Sequence, residues 1–234
     1  ADKFNTLQMG MVAADRIIKI INTKSKITDY GNWNPQKITG KINFKNLRFS
    51  YVNEEEVIRG INLEIQPGEK IAIVGATGAG KSTLINLISR FYEFDKGEIY
   101  LDDRSIKDFA LQSLRKHIGI VLQDVFLFAD TIYNNITLYK TNVSRDMVYE
   151  AARQIGVHEF IESLPGGYNY NVRERGVMLS SGQRQLIAFL RLYISNPSVL
   201  ILDEATSSID SHSEELIKNA THKITSDKTS ILIA

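Results

Sequence analysis

The 234-residue chain contains no cysteine. That removes disulfides, thiol nucleophiles and every cysteine-ligated metal site, and it fits a reducing compartment. An excess of one charge is lacking too: 28 Lys and Arg face 27 Asp and Glu, leaving a formal net charge of +1. No global field therefore steers the protein toward nucleic acid or anionic lipid, so any phosphate recognition is local. No apolar run approaches the ~20 residues a membrane-spanning helix needs, and the N-terminus has no signal-peptide layout. No segment repeats and no tract is of low complexity. What is present is 43% apolar content in a chain long enough for one sizeable α/β domain with an appendage.

Residues 4–21, FNTLQMGMVAADRIIKII, place Phe4, Leu7, Met11, Ile17, Ile18 and Ile21 near helical spacing. The polar stretch that follows, NTKSKITDYGNWNPQKITG, reads as a linker through Gly31, Pro35 and Gly40. A globular domain is expected to start near Gly40. From Lys41 the apolar residues alternate, at Ile42 and Phe44, Leu47, Phe49 and Tyr51, then Ile61, Leu63 and Ile65. Alternation predicts half-buried antiparallel strands. KIAIVG (70–75), IGIVLQ (118–123), VLILD (199–203) and SILIA (230–234) are instead continuous apolar runs, expected as parallel strands covered on both faces. Segments 144–164 and 181–195 carry helical periodicity, the second at Leu186, Ile187, Leu190 and Ile194, with Pro197 as its stop.

GATGAGKS at 75–82 matches G-x-x-x-x-G-K-[ST] between one such strand and an apolar helix, STLINLISRFY. Gly75, Gly78 and Gly80 allow a tight turn whose N–H groups, with those of Ala76, Thr77 and Ala79, surround phosphate oxygens. Lys81 is expected against the β- and γ-phosphates of ATP, the Ser82 hydroxyl on Mg2+, and Thr83 on further phosphate oxygens. VLILDE ends its strand in Asp203, a carboxylate at the carboxyl edge of the sheet, able to hold Mg2+ directly or through water. Glu204 is then left to orient or deprotonate an attacking water. The competing reading makes the acidic pair a helix cap.

MLSSGQRQL, from Met178, puts a second Ser/Gly turn before a second helix, again an N-terminus favourable to negative charge. One nucleotide has no evident need of two such devices within one chain. A second copy is expected to present the 180–182 turn across a twofold interface, closing the γ-phosphate side of a nucleotide held by the first copy's glycine loop.

In the order and spacing of these motifs the chain resembles the nucleotide-binding domain of ATP-binding cassette (ABC) transporters of the bacterial exporter type. The resemblance covers about residues 41–234, and 1–38 is similar to the cytoplasmic end of the last membrane helix with its linker. It implies an α/β fold: a P-loop NTPase with a RecA-like parallel sheet core, an N-terminal antiparallel β subdomain and an α-helical signature subdomain (roughly 125–195) within a domain at 39–234. ATP and Mg2+ are the implied ligands. LSSGQ (179–183) corresponds to the family signature, with Ser180, Ser181, Gly182 and Gln183 at the γ-phosphate in trans. Tyr51 corresponds to the aromatic that stacks on adenine, and Gln123 to the glutamine linking the metal and water region to the membrane domain. SSID (207–210) matches the loop after the catalytic glutamate, with Asp210 touching the dimer partner; ERG (174–176) matches the segment before the signature, with Glu174 toward the coupling helices. Tyr51 also fits a plain strand aromatic, Gln123 a polar strand end and Glu174 a solvated loop residue.

Three departures qualify the resemblance. Ser181 stands where the family commonly has glycine, tolerable where φ is not positive. Arg173 replaces a usual glycine before ERG. The chain reaches ILIA where the family places its switch histidine, so it is expected to be a C-terminally truncated fragment of low ATPase activity. His117, His158, His212 and His222 lie elsewhere and are expected at the surface.

The implied function is an ATP-binding and ATP-hydrolysing domain that dimerises around two Mg-ATP and powers export across a membrane. Its partners are a second nucleotide-binding domain, in a homodimer or heterodimer, and the transmembrane domain of the same transporter. No nucleic acid is expected, and contact with the membrane only through that attached domain, at the cytoplasmic face of the inner (plasma) membrane. The alternatives are a soluble ABC-type ATPase acting on nucleic acid or ribosomes, whose coiled-coil insertions and paired cassettes are not seen here, and a P-loop kinase, which has no need of LSSGQ.

Overall fold

The computed structural model describes residues 2–52, 55–203 and 211–233, the last segment by its backbone alone at 211–213. Helix α1 (Asp2–Asn22) leads through an irregular segment to β1 (Ile42–Ser50), β2 (Glu56–Ile65) and β3 (Lys70–Ile73). Then come α2 (Lys81–Ile88), β4 (Lys96–Leu101), β5 (Arg104–Ser105), α3 (Leu111–His117) and β6 (Ile118–Val121). A run of helices follows: α4 (Ile132–Thr137), α5 (Arg145–Ile155), α6 (His158–Glu162) and α7 (Ser181–Ser195). The chain closes with β7 (Val199–Asp203), α8 (Ser211–Thr225) and β8 (Thr229–Ile233).

Two sheets form. The antiparallel one has the order β2-β1-β4-β5, and period-two burial sends Ile42, Phe44, Leu47 and Phe49 of β1 inward. The parallel one has the order β3-β8-β7-β6. Its run VLILD is apolar throughout because successive side chains enter different cores: Val199 and Ile201 join Leu84, Ile85 and Ile88 of α2, while Leu200 and Leu202 join Leu186, Leu190 and Ile217 of α7 and α8. KIAIVG departs from this expectation. Among the described residues its strand, β3, pairs with β8 alone, and Lys70 and Ala72 are exposed.

Local chemistry sets the helix ends. Segment 144–164 is two helices because Gly156, at φ 81°, caps α5 in the left-handed region. The helix expected over STLINLISRFY stops at Ile88, and the chain turns through Arg90 at φ 49°. Helix α7 ends at Asn196, also left-handed, one residue before Pro197. Helix α1 buries none of its residues, and among the described residues no helix is long and apolar enough to cross a membrane.

Much of the polar segment before β1 is laced to the domain. Trp33 exchanges backbone hydrogen bonds with Asp108 and Ala110 and packs edge-on against Phe109 at 4.4 Å. The Leu111 N–H donates to Asp29 Oδ1, and the buried Arg90 guanidinium donates to the Thr28 carbonyl. His117, expected at the surface, is 5% exposed, with Nε2 2.9 Å from the Pro35 carbonyl. A carbonyl can only accept, so that nitrogen carries the proton. The position is buried because the polar segment folds back over it. Of the other histidines, His222 is exposed, His158 is part-buried with Nδ1 2.9 Å from Tyr168 Oη, and His212 lies outside the described side chains.

Candidate functional site

The glycine-rich loop joins β3 to α2 at the carboxyl edge of the parallel sheet. Gly78 (φ 84°) and Gly80 (φ 90°) occupy the left-handed region, where a side chain is costly. Gly80 is doubly constrained, since a Cβ there would meet Ile58 Cδ1 at 3.0 Å. Gly75 needs neither freedom: its φ is not positive and an added Cβ meets only ordinary contacts. The Ala79 N–H donates to the Ala76 carbonyl and closes the loop. Gly80, as N-cap of α2, offers no side chain, so the first-turn N–H groups of that helix face the cavity above without a capping side chain. Lys81 Nζ donates to the Gly75 carbonyl at 2.5 Å, curling the ammonium back over the loop.

A cavity of about 390 Å³ opens over this loop, lined by residues 76–83 together with Tyr51, Val57, Gln123 and Asp203. Strands β6 and β7, paired in parallel, set the last two: Asp203 ends β7, and Gln123 lies two residues past Val121, the end of β6. Buried strands thus hold a carboxylate and an amide opposite an uncapped helix N-terminus. A cleft of about 680 Å³ lies between residues 26–32 and Arg90, Glu93, Arg104, Lys107 and Asp108, and among the described residues that line it none belongs to a helix N-terminus or ends a parallel strand. The smaller cavity is the one with phosphate-binding geometry.

The second Ser/Gly turn is not part of that cavity; none of residues 180–183 lines it. Ser180 is the N-cap of α7 and forms a capping box: Ser180 Oγ accepts the Gln183 N–H at 3.2 Å, and Gln183 Oε1 accepts the Ser180 N–H at 3.0 Å. Ser181 is the first helical residue, without positive φ, so its β-carbon is tolerated. Gly182 is buried within the first turn. Ahead of the signature the backbone is strained: Arg173 has φ 57° and ψ −172°, and Arg175, within the short turn Glu174–Gly176, has φ 53°. Glu174 is exposed. Glu204 and the 207–210 loop with Asp210 lie outside the described residues.

Residues that the motifs did not single out complete the surroundings. Asn86 and Tyr92 touch Tyr51. Arg191 joins the signature helix to the segment after Gln123: Nε donates to the Asn135 carbonyl at 2.5 Å, and Nη1 and Nη2 donate to the Phe126 carbonyl and Asn135 Oδ1, each at 3.0 Å. Burial lowers this guanidinium to about 10, which still leaves it charged at neutral pH. An arginine set among Phe189, Leu190 and Leu192 is a visible sequence signal of this kind.

The donors around the cavity suit a hard cation. Ser82, Gln123 and Asp203 offer oxygen. Oxygen donors are what Mg2+ accepts, beside the water and phosphate oxygens it keeps.

Comparison with known proteins agrees with this geometry. The chain is 41% identical over 231 residues to a Bacillus subtilis (strain 168) protein provisionally named multidrug export ATP-binding/permease protein YgaD, covering 98% of this chain and 40% of that one. It is 43% identical over 231 residues to a Streptococcus pneumoniae (serotype 4, strain TIGR4) protein provisionally named ABC transporter ATP-binding protein exp8, covering 99% and 40%. A solved bacterial Atm1-family ABC exporter with ATP bound superposes with a TM-score of 0.86 at 36% identity, over 99% of this chain and 41% of the exporter. The chain thus spans about two-fifths of these relatives' lengths. Residues 58–207, more than half of it, match the ABC transporter family, and with that cradle, sheet edge and signature helix in one fold the chain belongs to that family as an ATP-binding domain of the exporter kind.

Proposed function

We propose that this domain binds ATP in the cavity over residues 76–83, pairs with a second nucleotide-binding domain around two Mg-ATP, and hydrolyses ATP to power export by an attached transmembrane domain. The observation that carries it is the convergence of an uncapped α2 N-terminus, Lys81, Gln123 and Asp203 on one cavity at the sheet edge. Backbone N–H groups of 76–82 hold phosphate oxygens, and the Lys81 ammonium exchanges its loop carbonyl for phosphate charge. Ser82, Asp203 and Gln123 would hold Mg2+, which when bound neutralises developing charge on the phosphate oxygens. Glu204 orients or deprotonates the attacking water, and the exposed ring of Tyr51 receives the adenine.

The second anion device serves the other molecule's nucleotide. Ser180 Oγ caps its own helix, and the 180–182 turn meets the γ-phosphate held by the partner domain. The capped helix supplies rigidity and the partner supplies the phosphate. Domain closure then draws the attached membrane helices together, with α1 continuing the last of them, and hydrolysis releases them at the cytoplasmic face of the plasma membrane.

Two measurements test this. In the full-length transporter, Glu204→Gln retains ATP binding and accumulates an ATP-bound dimer; turnover near the wild-type rate would remove Glu204 as the water-activating group. In this 234-residue chain, titration calorimetry detects ATP, Lys81→Ala weakens it at least about tenfold, which is about 1.4 kcal/mol, and turnover stays low. Unchanged affinity on losing Lys81 would move the nucleotide out of this cavity.

A further inference from the structure

Tyr51 is held from two directions. Its ring is edge-to-face with Phe49 at 4.8 Å and with Tyr92 at 5.0 Å, and 47% of the residue stays exposed. Its hydroxyl donates to Thr83 Oγ1 at 3.2 Å, and Asn86 Nδ2 donates to that same hydroxyl at 3.4 Å. Thr83 is 6% exposed, one turn into the phosphate-binding helix, and lines the same cavity as Tyr51.

The chain Asn86→Tyr51→Thr83 links an amide to two hydroxyls. The amide NH2 only donates, so the Tyr51 oxygen accepts from Asn86, and the Tyr51 hydroxyl in turn donates to Thr83 Oγ1. A threonine hydroxyl has one proton and two lone pairs; one lone pair is engaged by Tyr51, so the proton must point elsewhere. Among the described residues it meets no acceptor, and the cavity over the α2 N-terminus lies beside it. Each donated bond also polarises the next, by about 10–30%.

We propose that Tyr51 acts at both ends of the nucleotide: its ring meets the base, while its hydroxyl, braced by Asn86, turns the Thr83 proton toward a phosphate oxygen. Asn86 and the Tyr51 hydroxyl are positioning groups that work through Thr83. The proposal rests on the nucleotide reading of this cavity, and its probes separate the two.

The test is competition binding by this chain, with Mg2+ present, against ATP, inorganic tripolyphosphate and adenosine. Tyr51→Phe keeps the ring and both edge contacts and removes only the hydroxyl. Tripolyphosphate and ATP affinity should each fall about three- to tenfold, as expected for the loss of one ordinary hydrogen bond, with adenosine unchanged. In a Thr83→Val background the same substitution should change tripolyphosphate affinity no further, and Asn86→Leu should give a smaller loss in the same direction. Wild-type tripolyphosphate binding by Tyr51→Phe, equal loss of adenosine and tripolyphosphate, or a full effect persisting without Thr83 Oγ1 would each overturn the proposal while leaving the nucleotide site standing. If the wild-type chain binds neither ATP nor tripolyphosphate, the nucleotide reading falls and the proposal with it.

Discussion

Replacing Arg173 by glycine should make the protein more stable, although it removes a whole side chain. Arg173 combines φ 57° with ψ −172°, a region that essentially only glycine enters, at a strain of about 1–3 kcal/mol. Its backbone contacts survive the change: the N–H still donates to Asn171 Oδ1 at 2.9 Å, and its carbonyl still accepts the Gly176 N–H at 3.1 Å. The side chain is exposed and makes no hydrogen bond or ion pair among the described residues. Against the relief stands the larger unfolded-state entropy of glycine, about 0.5–1 kcal/mol. The net gain is therefore about 0–2.5 kcal/mol, centred near 1 kcal/mol, and at roughly 2–4 °C per kcal/mol for a chain of this size the melting temperature rises by about 2–4 °C at that centre. Differential scanning calorimetry without nucleotide reads this directly. Arg173→Ala is the control, because it discards the guanidinium but keeps the β-carbon that carries the strain, and it should melt near the parent. A glycine variant that melts at or below the alanine variant would show that the strain is not there.

Three further perturbations probe the contacts around the site. Arg191→Ala removes three donated bonds at Phe126 and Asn135, of whose acceptors Asn135 Oδ1 keeps the Phe128 N–H, and should lower stability by about 2–4 kcal/mol in urea titrations; Arg191→Lys should recover less than half, since an ammonium cannot reproduce the fork. Asp102→Ala removes the carboxylate that accepts the N–H groups of Thr39, Gly40 and Lys41 and should cost about 1–3 kcal/mol, with Asp102→Asn milder because asparagine tolerates its φ of 51°. Gly31→Ala would place a Cβ 1.9 Å from the Phe109 carbonyl and should pry the polar segment away. Trp33 is the one tryptophan, so its emission should shift to the red while the melting of the remaining domain changes little.

The site was legible to very different degrees in its separate parts. GATGAGKS could be read as a tight turn opening a helix because such a turn demands small residues at fixed offsets, and the demand is local. Asp203 could be read because four apolar residues before it mark a buried strand, which has a known functional end. Asn86, Tyr92 and Arg191 could not be read as neighbours of their targets, because nothing in a helix pattern tells which turn will face a loop formed elsewhere in the chain. The same holds for His117: its polarity suggested a solvated position, and only the return of Pro35 over α3 buries it.

By itself, then, the sequence determined which segments could be strand or helix, where the glycine-rich loop before α2 lies, and which family pattern those motifs follow, since each depends on spacing within one short stretch. Tertiary structure alone decided that β3 pairs with β8, that Leu200 and Ile201 serve opposite cores, and that the Tyr51 hydroxyl meets Thr83. Those outcomes depend on pairing and packing between segments far apart in the chain, where the contact energy comes from the neighbour and not from the residue's own pattern.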